Sequence, residues 1–167
     1  GEEIGMTNVR FDKITDYDDI ETRNMYHDRI SKGYSHEEIM ESIYTKGRDN
    51  ARTPMQWSEE KNAGFTTGTP WIKVNPNYSY INVDKEIKRE NSILAFYKKL
   101  IEIRKNAEAL NIGSFIPVDT ENKKVLSYLR QEGEETYLTV INLSGSLAEA
   151  NLIDVSAYNF KPVLCTY

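Results

Sequence analysis

Apolar positions fall into two regimes along the chain. In the first, they recur at helical spacing. Ile39, Met40, Ile43 and Tyr44 make one stripe, and Ile93, Phe96, Tyr97, Leu100, Ile103 and Arg104 follow the 3.6-residue period of a helix packed on one side. Beyond Ala109 the runs shorten and alternate, over Ser114–Val118, Val125–Arg130 and Thr136–Leu143. Turn signals separate them at Glu121-Asn122, Glu132-Gly133 and Ser144-Gly145. That pattern predicts an antiparallel meander, and the later runs Leu152–Val155 and Pro162–Tyr167 predict two further strands with an exposed edge at the end.

End signals bound the helices. Asp18-Asp19-Ile20-Glu21 places acids where a capping box would start a helix, which runs to about Lys32 before Gly33 stops it. Ser35 with Glu38 predicts a capping box for the next helix, and Lys46-Gly47 marks its end, so that Gly47 delivers Arg48 straight out of a helix. Prolines at 54, 70 and 76 and glycines at 64 and 68 break all periodicity from Asn50 to Asn77. A loop of that length is of the kind retained for function. Asp84 opens the helical region that carries the Ile93 stripe.

Composition narrows the classes. Apolar residues make up 39% of the 167, enough for a core, while no apolar run approaches the ~20 residues of a membrane span. The formal net charge of −5, with Lys and Arg scattered among acids, offers no basic face for nucleic acid. Cys165 is the only cysteine, so no intrachain disulfide forms; the residue is expected as a buried thiol and fits a reducing cytoplasm. His27 and His36 lie in a charged helical stretch without a ligand constellation and are expected as solvated surface residues. No metal and no cofactor is expected.

The densest chemistry lies in RDNARTPMQW, Arg48 to Trp57. This segment gathers the guanidinium forks of Arg48 and Arg52, the carboxylate of Asp49, the amides of Asn50 and Gln56, and an indole. Planar donors, mixed acceptors and a flat apolar face suit a sugar ring. They also suit an unusually polar structural corner.

With GEEIGMTN (Gly1–Asn8) and NAGFTTGTPWIKVNPNY (Asn62–Tyr78), that segment closely resembles the oligo-1,6-glucosidase and dextran-glucosidase group of the α-amylase family (glycoside hydrolase family 13). The resemblance is specific from Gly1 to about Lys105 and looser beyond it. It implies an α+β chain: residues 1–108 as the last part of a catalytic (β/α)8 barrel, with strand exit, loop helices and last helix, and residues 109–167 as a truncated, antiparallel β-sandwich-like C-terminal domain. Because such a barrel needs roughly 250 residues, the chain is expected to be a piece of a longer enzyme. Retaining glycosidases need two carboxyl groups roughly 5 Å apart, and the resemblance puts both upstream of Gly1. The chain alone is therefore expected to hold no catalytic residue and to be inactive.

Binding residues are what the resemblance leaves to this chain. Arg48 matches the arginine that holds the 4-hydroxyl of the non-reducing glucose, against the alternative that it pairs with Asp49 or a backbone carbonyl to fix the loop. Glu21 matches an acceptor for the next sugar, against a helix-capping role. Arg52 is read as structural, Trp57 and Trp71 as loop anchors that bury a face and donate one hydrogen bond, Glu2 and Glu3 as loop supports, and Tyr78 and Tyr80 as packing. The implied partner is an oligosaccharide, with isomalto-oligosaccharide or dextran ends as the first expectation; trehalose-6-phosphate hydrolase and sucrose isomerase fit the motifs too. A carbohydrate-binding or interaction module without catalysis stays open. The apolar face of residues 93–104, without barrel neighbours, predicts self-association of the chain or disorder ahead of about residue 90.

Overall fold

The computed structural model describes residues 1–166, and the chain forms two compact units, Gly1–Tyr97 and Lys98 onward. In the first unit, α1 (Ile20–Ser31) and α2 (His36–Lys46) are separated by a short turn in which Gly33 takes a left-handed φ of 88°. The Ser35–Glu38 capping box is present, each side chain bonding the other residue's backbone N–H. Ile39, Met40 and Ile43 of α2 bury against Val9, Phe11, Tyr17 and Ile72, so the helix stripe and the flanking irregular segments share one core. The first unit thus has a core of its own.

From Arg52 to Ser79 the chain is irregular except for 3-10 turns at Lys61–Gly64 and Pro76–Ser79. Asn62, Ala63 and Gly64 take three successive left-handed conformations, with φ of 56°, 57° and 66°. Left-handed backbone is unfavourable for alanine. Here it aims the carbonyl of the fully buried Ala63 at the N–H groups of Trp57 and Ser58, 2.9 and 3.0 Å away. A one-turn helix, α3 (Val83–Ile87), follows Asn82, which caps it by accepting from the Lys85 N–H. Ser92 then caps α4 (Ile93–Asn106) through the Ala95 N–H. Helix α4 has no fully buried residue; Ile93 and Leu100 of its apolar stripe are exposed, whereas Phe96, Tyr97 and Ile103 are half-buried, so the stripe is only partly uncovered.

The second unit contains α5 (Glu108–Asn111) and one antiparallel sheet in the order β1 (Ser114–Val118), β2 (Val125–Glu132), β3 (Glu135–Asn142). Ile116, Leu129 and Leu138 stand opposite one another across the strands. Gly133 makes the β2–β3 turn with a φ of 54°, a conformation that costs glycine little. Val118 and Leu129 bury with Val155.

The two later strands do not form among the described residues. Ile153–Val155 is a 3-10 turn, because Asn151 Oδ1 accepts the Ile153 N–H and bends the chain while Asp119 holds the Asn151 N–H. The Pro162–Tyr167 run has no strand through residue 166, and Tyr167 lies outside the described residues. Cys165 is exposed rather than buried. No helix of the described residues is long and apolar enough to cross a membrane, and no group of His, Cys, Asp and Glu among them is arranged to hold a metal.

Candidate functional site

The site is assembled where α2 ends. Gly47 is extended, with φ −63° and ψ 134°, a conformation open to any residue, so its backbone freedom is not what the position requires. The requirement is space. A Cβ there would lie 2.6 Å from the carbonyl oxygen of Ile43, the same oxygen that accepts the Gly47 N–H at 2.7 Å. Gly47→Ala is therefore expected to break this closing hydrogen bond, displace Arg48 and lower the unfolding midpoint measurably in a thermal melt; an unchanged melt would show that the helix end gives way without cost.

Residues 48–51 form a 3-10 turn, and most polar groups around it hold the chain together. Asp49 is buried, and its Oδ2 accepts the N–H groups of Asp18 and Asp19 at 2.6 and 2.9 Å. Asn50 accepts the Val9 N–H and donates to the carbonyls of Ile43 and Tyr44, groups that a helix C-terminus leaves short of donors. Gln56 is fully buried and donates to Asn77 Oδ1 and the Ile81 carbonyl. Arg48 is different. Its Nη1 reaches Glu21 Oε2 at 3.4 Å and Asp19 Oδ1 at 3.8 Å, while its Nε and Nη2 donate to nothing among the described residues. The alternative that Arg48 fixes the loop through Asp49 or a carbonyl is not what the geometry shows.

Helix α1 begins one residue later than expected, and this decides the role of Glu21. Asp19, not Asp18, is the N-cap: its Oδ2 accepts both the N–H and the hydroxyl of Thr22 at 2.9 Å, whereas Asp18 pairs with Arg23. Glu21 falls inside the first turn with no cap to make, which overturns its capping role. Its carboxylate stands in solvent beside Arg48. Asp19, Glu21, Thr22, Ile43, Gly47 and Arg48 line an open cleft of about 150 Å³. Burial pushes the Asp19 carboxyl up, but the hydrogen bonds from Thr22 and the charges of Arg48 and Arg52 more than offset it, holding the group below the usual aspartate value. It is therefore ionised at neutral pH and presents a fixed negative charge at the cleft floor.

The indoles depart from expectation. Trp57 is 50% and Trp71 62% exposed, and neither indole N–H donates within the described protein, so they are not buried anchors. Tyr78 is half-buried, while Tyr80 is exposed and does not pack as expected. Glu2 accepts from the Tyr97 hydroxyl, and its neighbour Glu3 has its carboxyl lowered mainly by a bond from its own backbone N–H. His27 is exposed as expected, but His36 is half-buried, with Nδ1 2.8 Å from the Tyr26 hydroxyl. Sequence reasoning passed over Asp19, although a short acid three residues before Thr22 is the signal of an N-cap.

Residues 1–113 match the family model described as the α-amylase catalytic domain, and residues 115–164 match that of the maltogenic amylase C-terminal domain. The chain belongs to the α-amylase family. Within that family it is 53% identical over 145 residues to the oligo-1,6-glucosidase of Bacillus cereus, an alignment that covers 86% of this chain and 26% of that protein. The oligo-1,6-glucosidase of Parageobacillus thermoglucosidasius is 48% identical over 165 residues, 98% of this chain and 29% of that protein. Among solved structures, trehalose-6-phosphate hydrolase from Bacillus licheniformis superposes with a TM-score of 0.82 at 43% identity, covering 87% of this chain and 26% of that one. The chain thus spans about a quarter of the length of the curated α-amylase-family relatives it matches. Its helices and three-stranded sheet accord with the end of such a barrel followed by a β-domain.

Proposed function

We propose that this chain supplies one wall of the substrate site of a retaining α-glucosidase acting on isomalto-oligosaccharides or dextran ends. The observation that carries this reading is the Arg48 fork, whose Nε and Nη2 have no partner among the described residues, held at an open cleft beside Glu21 in a chain about half identical to oligo-1,6-glucosidases. Arg48 donates to hydroxyls of the terminal glucose, and Glu21 accepts from the adjacent sugar. A guanidinium suits that task because it presents several donors in one plane and stays charged. The carboxylates that break the glycosidic bond are assigned to parts of the protein outside this chain. In this reading residues 1–108 are the end of the catalytic barrel and 109–167 belong to a β-sandwich domain. The lone Cys165 fits a cytoplasmic enzyme. On its own the chain self-associates through the apolar stripe of α4.

A second reading, trehalose-6-phosphate hydrolase, is favoured by the solved structure that superposes well and by 41% identity to the Bacillus subtilis protein of that name over 154 residues. Glucose release from isomaltose and from trehalose 6-phosphate, measured on the protein encoded by the complete gene and on the 167-residue chain, separates the readings. Turnover of isomaltose by the complete protein alone is expected. Turnover of trehalose 6-phosphate only would favour the second reading, and turnover of either sugar by the chain itself would sink both.

A further inference from the structure

Arg52 stands behind Arg48 and competes with it for the same oxygen. Asp19 divides its carboxylate: Oδ2 is committed to Thr22 at the start of α1, and Oδ1 accepts from Arg52 Nη1 at 3.2 Å. Arg48 Nη1 lies 3.8 Å from that same Oδ1, close enough for attraction and too far for a hydrogen bond. On its other side Arg52 Nη1 faces Asp49 Oδ1 at 3.7 Å, a buried oxygen with no hydrogen-bond donor of its own. The side chains of Asp19 and Asp49 are only 4% and 1% exposed, so their negative charges are screened little by water. A cation between them is needed, and Arg52 is the one bonded there.

From this geometry we infer that Arg52 is a positioning residue for Arg48. By occupying Asp19 Oδ1 it keeps that buried carboxylate from capturing Arg48, and the Arg48 fork stays turned to the cleft. Without Arg52, Asp19 would present a bare, ionised oxygen 3.8 Å from the remaining guanidinium. Arg48 would close that gap and withdraw donors that the substrate needs. The same logic separates the two arginines of the motif: Arg48 is 59% exposed and open to the cleft, while Arg52 is 38% exposed and its side chain pairs with the carboxylates of Asp19 and Asp49.

This inference rests on the reading of Arg48 as a sugar-binding residue, and a double-mutant cycle in the complete protein tests the two separately. Arg48→Ala alone tests the reading: unchanged kcat/KM on an α-glucoside overturns it and the inference with it. Given a loss there, Arg52→Gln is expected to lower kcat/KM about tenfold in the wild-type background, and by less than about twofold once Arg48 is already alanine. Arg52→Lys, which restores a cation between the carboxylates, is expected to recover most of the activity. Equal losses in both backgrounds, with the unfolding midpoint falling in step, would overturn the positioning role and leave Arg52 a structural residue. A readout free of turnover is the crystal structure of the Arg52→Gln protein, in which Arg48 should move from 3.8 Å to hydrogen-bonding distance of Asp19. An unmoved Arg48 would also overturn the inference.

Discussion

Arg48→Ala in the complete protein is expected to lower kcat/KM for isomaltose by about two to four orders of magnitude while leaving the unfolding midpoint within about a degree of wild type. Two charge-assisted hydrogen bonds to sugar hydroxyls, each of about 1.5–3 kcal/mol, account for a loss of that size. Stability should hardly respond, because the side chain is mostly exposed, forms one long hydrogen bond to a solvated Glu21, and leaves two of its nitrogens without a partner in the described protein. Steady-state kinetics beside a thermal melt checks both halves. A melt that falls as steeply as the activity would mean that Arg48 serves the fold, and the proposed substrate wall would lose its main residue.

Ile43→Ala should do the opposite, lowering stability far more than any surface change in this unit. Ile43 is 1% exposed and packs in the core with Val9, Phe11, Tyr17 and Ile39, so truncation removes buried methyl groups and leaves a cavity worth about 2–5 kcal/mol. Domains are stable by only about 5–15 kcal/mol, so such a loss removes a large fraction of the total. Ile43 also lines the cleft and supplies the one carbonyl that accepts from both Gly47 and Asn50. Activity per folded molecule should therefore fall too, though less than for Arg48→Ala. Chemical denaturation measured by near-ultraviolet circular dichroism tests the first point; a midpoint shift within error would mean that the core closes over the gap.

Local signals in the sequence located the regular elements well. The Ser35–Glu38 box, the α2 stripe and the alternating runs of β1 to β3 each depend on neighbours a few residues away, which a linear reading can see. The start of α1 was missed by one residue because two adjacent aspartates both fit an N-cap, and only the long-range bonds from Asp49 to residues 18 and 19 select the second. The final strands failed for a similar reason, since Asn151 and Asp119, 32 positions apart, impose a turn on an apolar run that otherwise suits a strand.

The site was legible in outline and misjudged in its division of labour. The density of polar groups in residues 48–57 reads as binding chemistry, yet Asp49, Asn50 and Gln56 spend their hydrogen bonds on chain segments from Val9 to Ile81. Those partners are remote in sequence, so nothing local distinguishes a staple from a ligand-binding group. Arg48 stands out only when the bonds are counted atom by atom. Trp57 and Trp71 were misread because a tryptophan beside proline in a loop usually buries its ring, whereas here the left-handed turn at Asn62–Gly64 takes up the backbone of Trp57 and leaves its ring outside.

The shared carboxylate of Asp19 also bears on how this sequence can diverge. One side chain sets the start of α1, neutralises Arg52 and borders Arg48, so a change at any of positions 19, 22, 48 or 52 alters the setting of the others. Such residues should drift as a block or not at all across homologues. Ala51, exposed within the same turn and outside this web of bonds, is the place where the motif is free to vary.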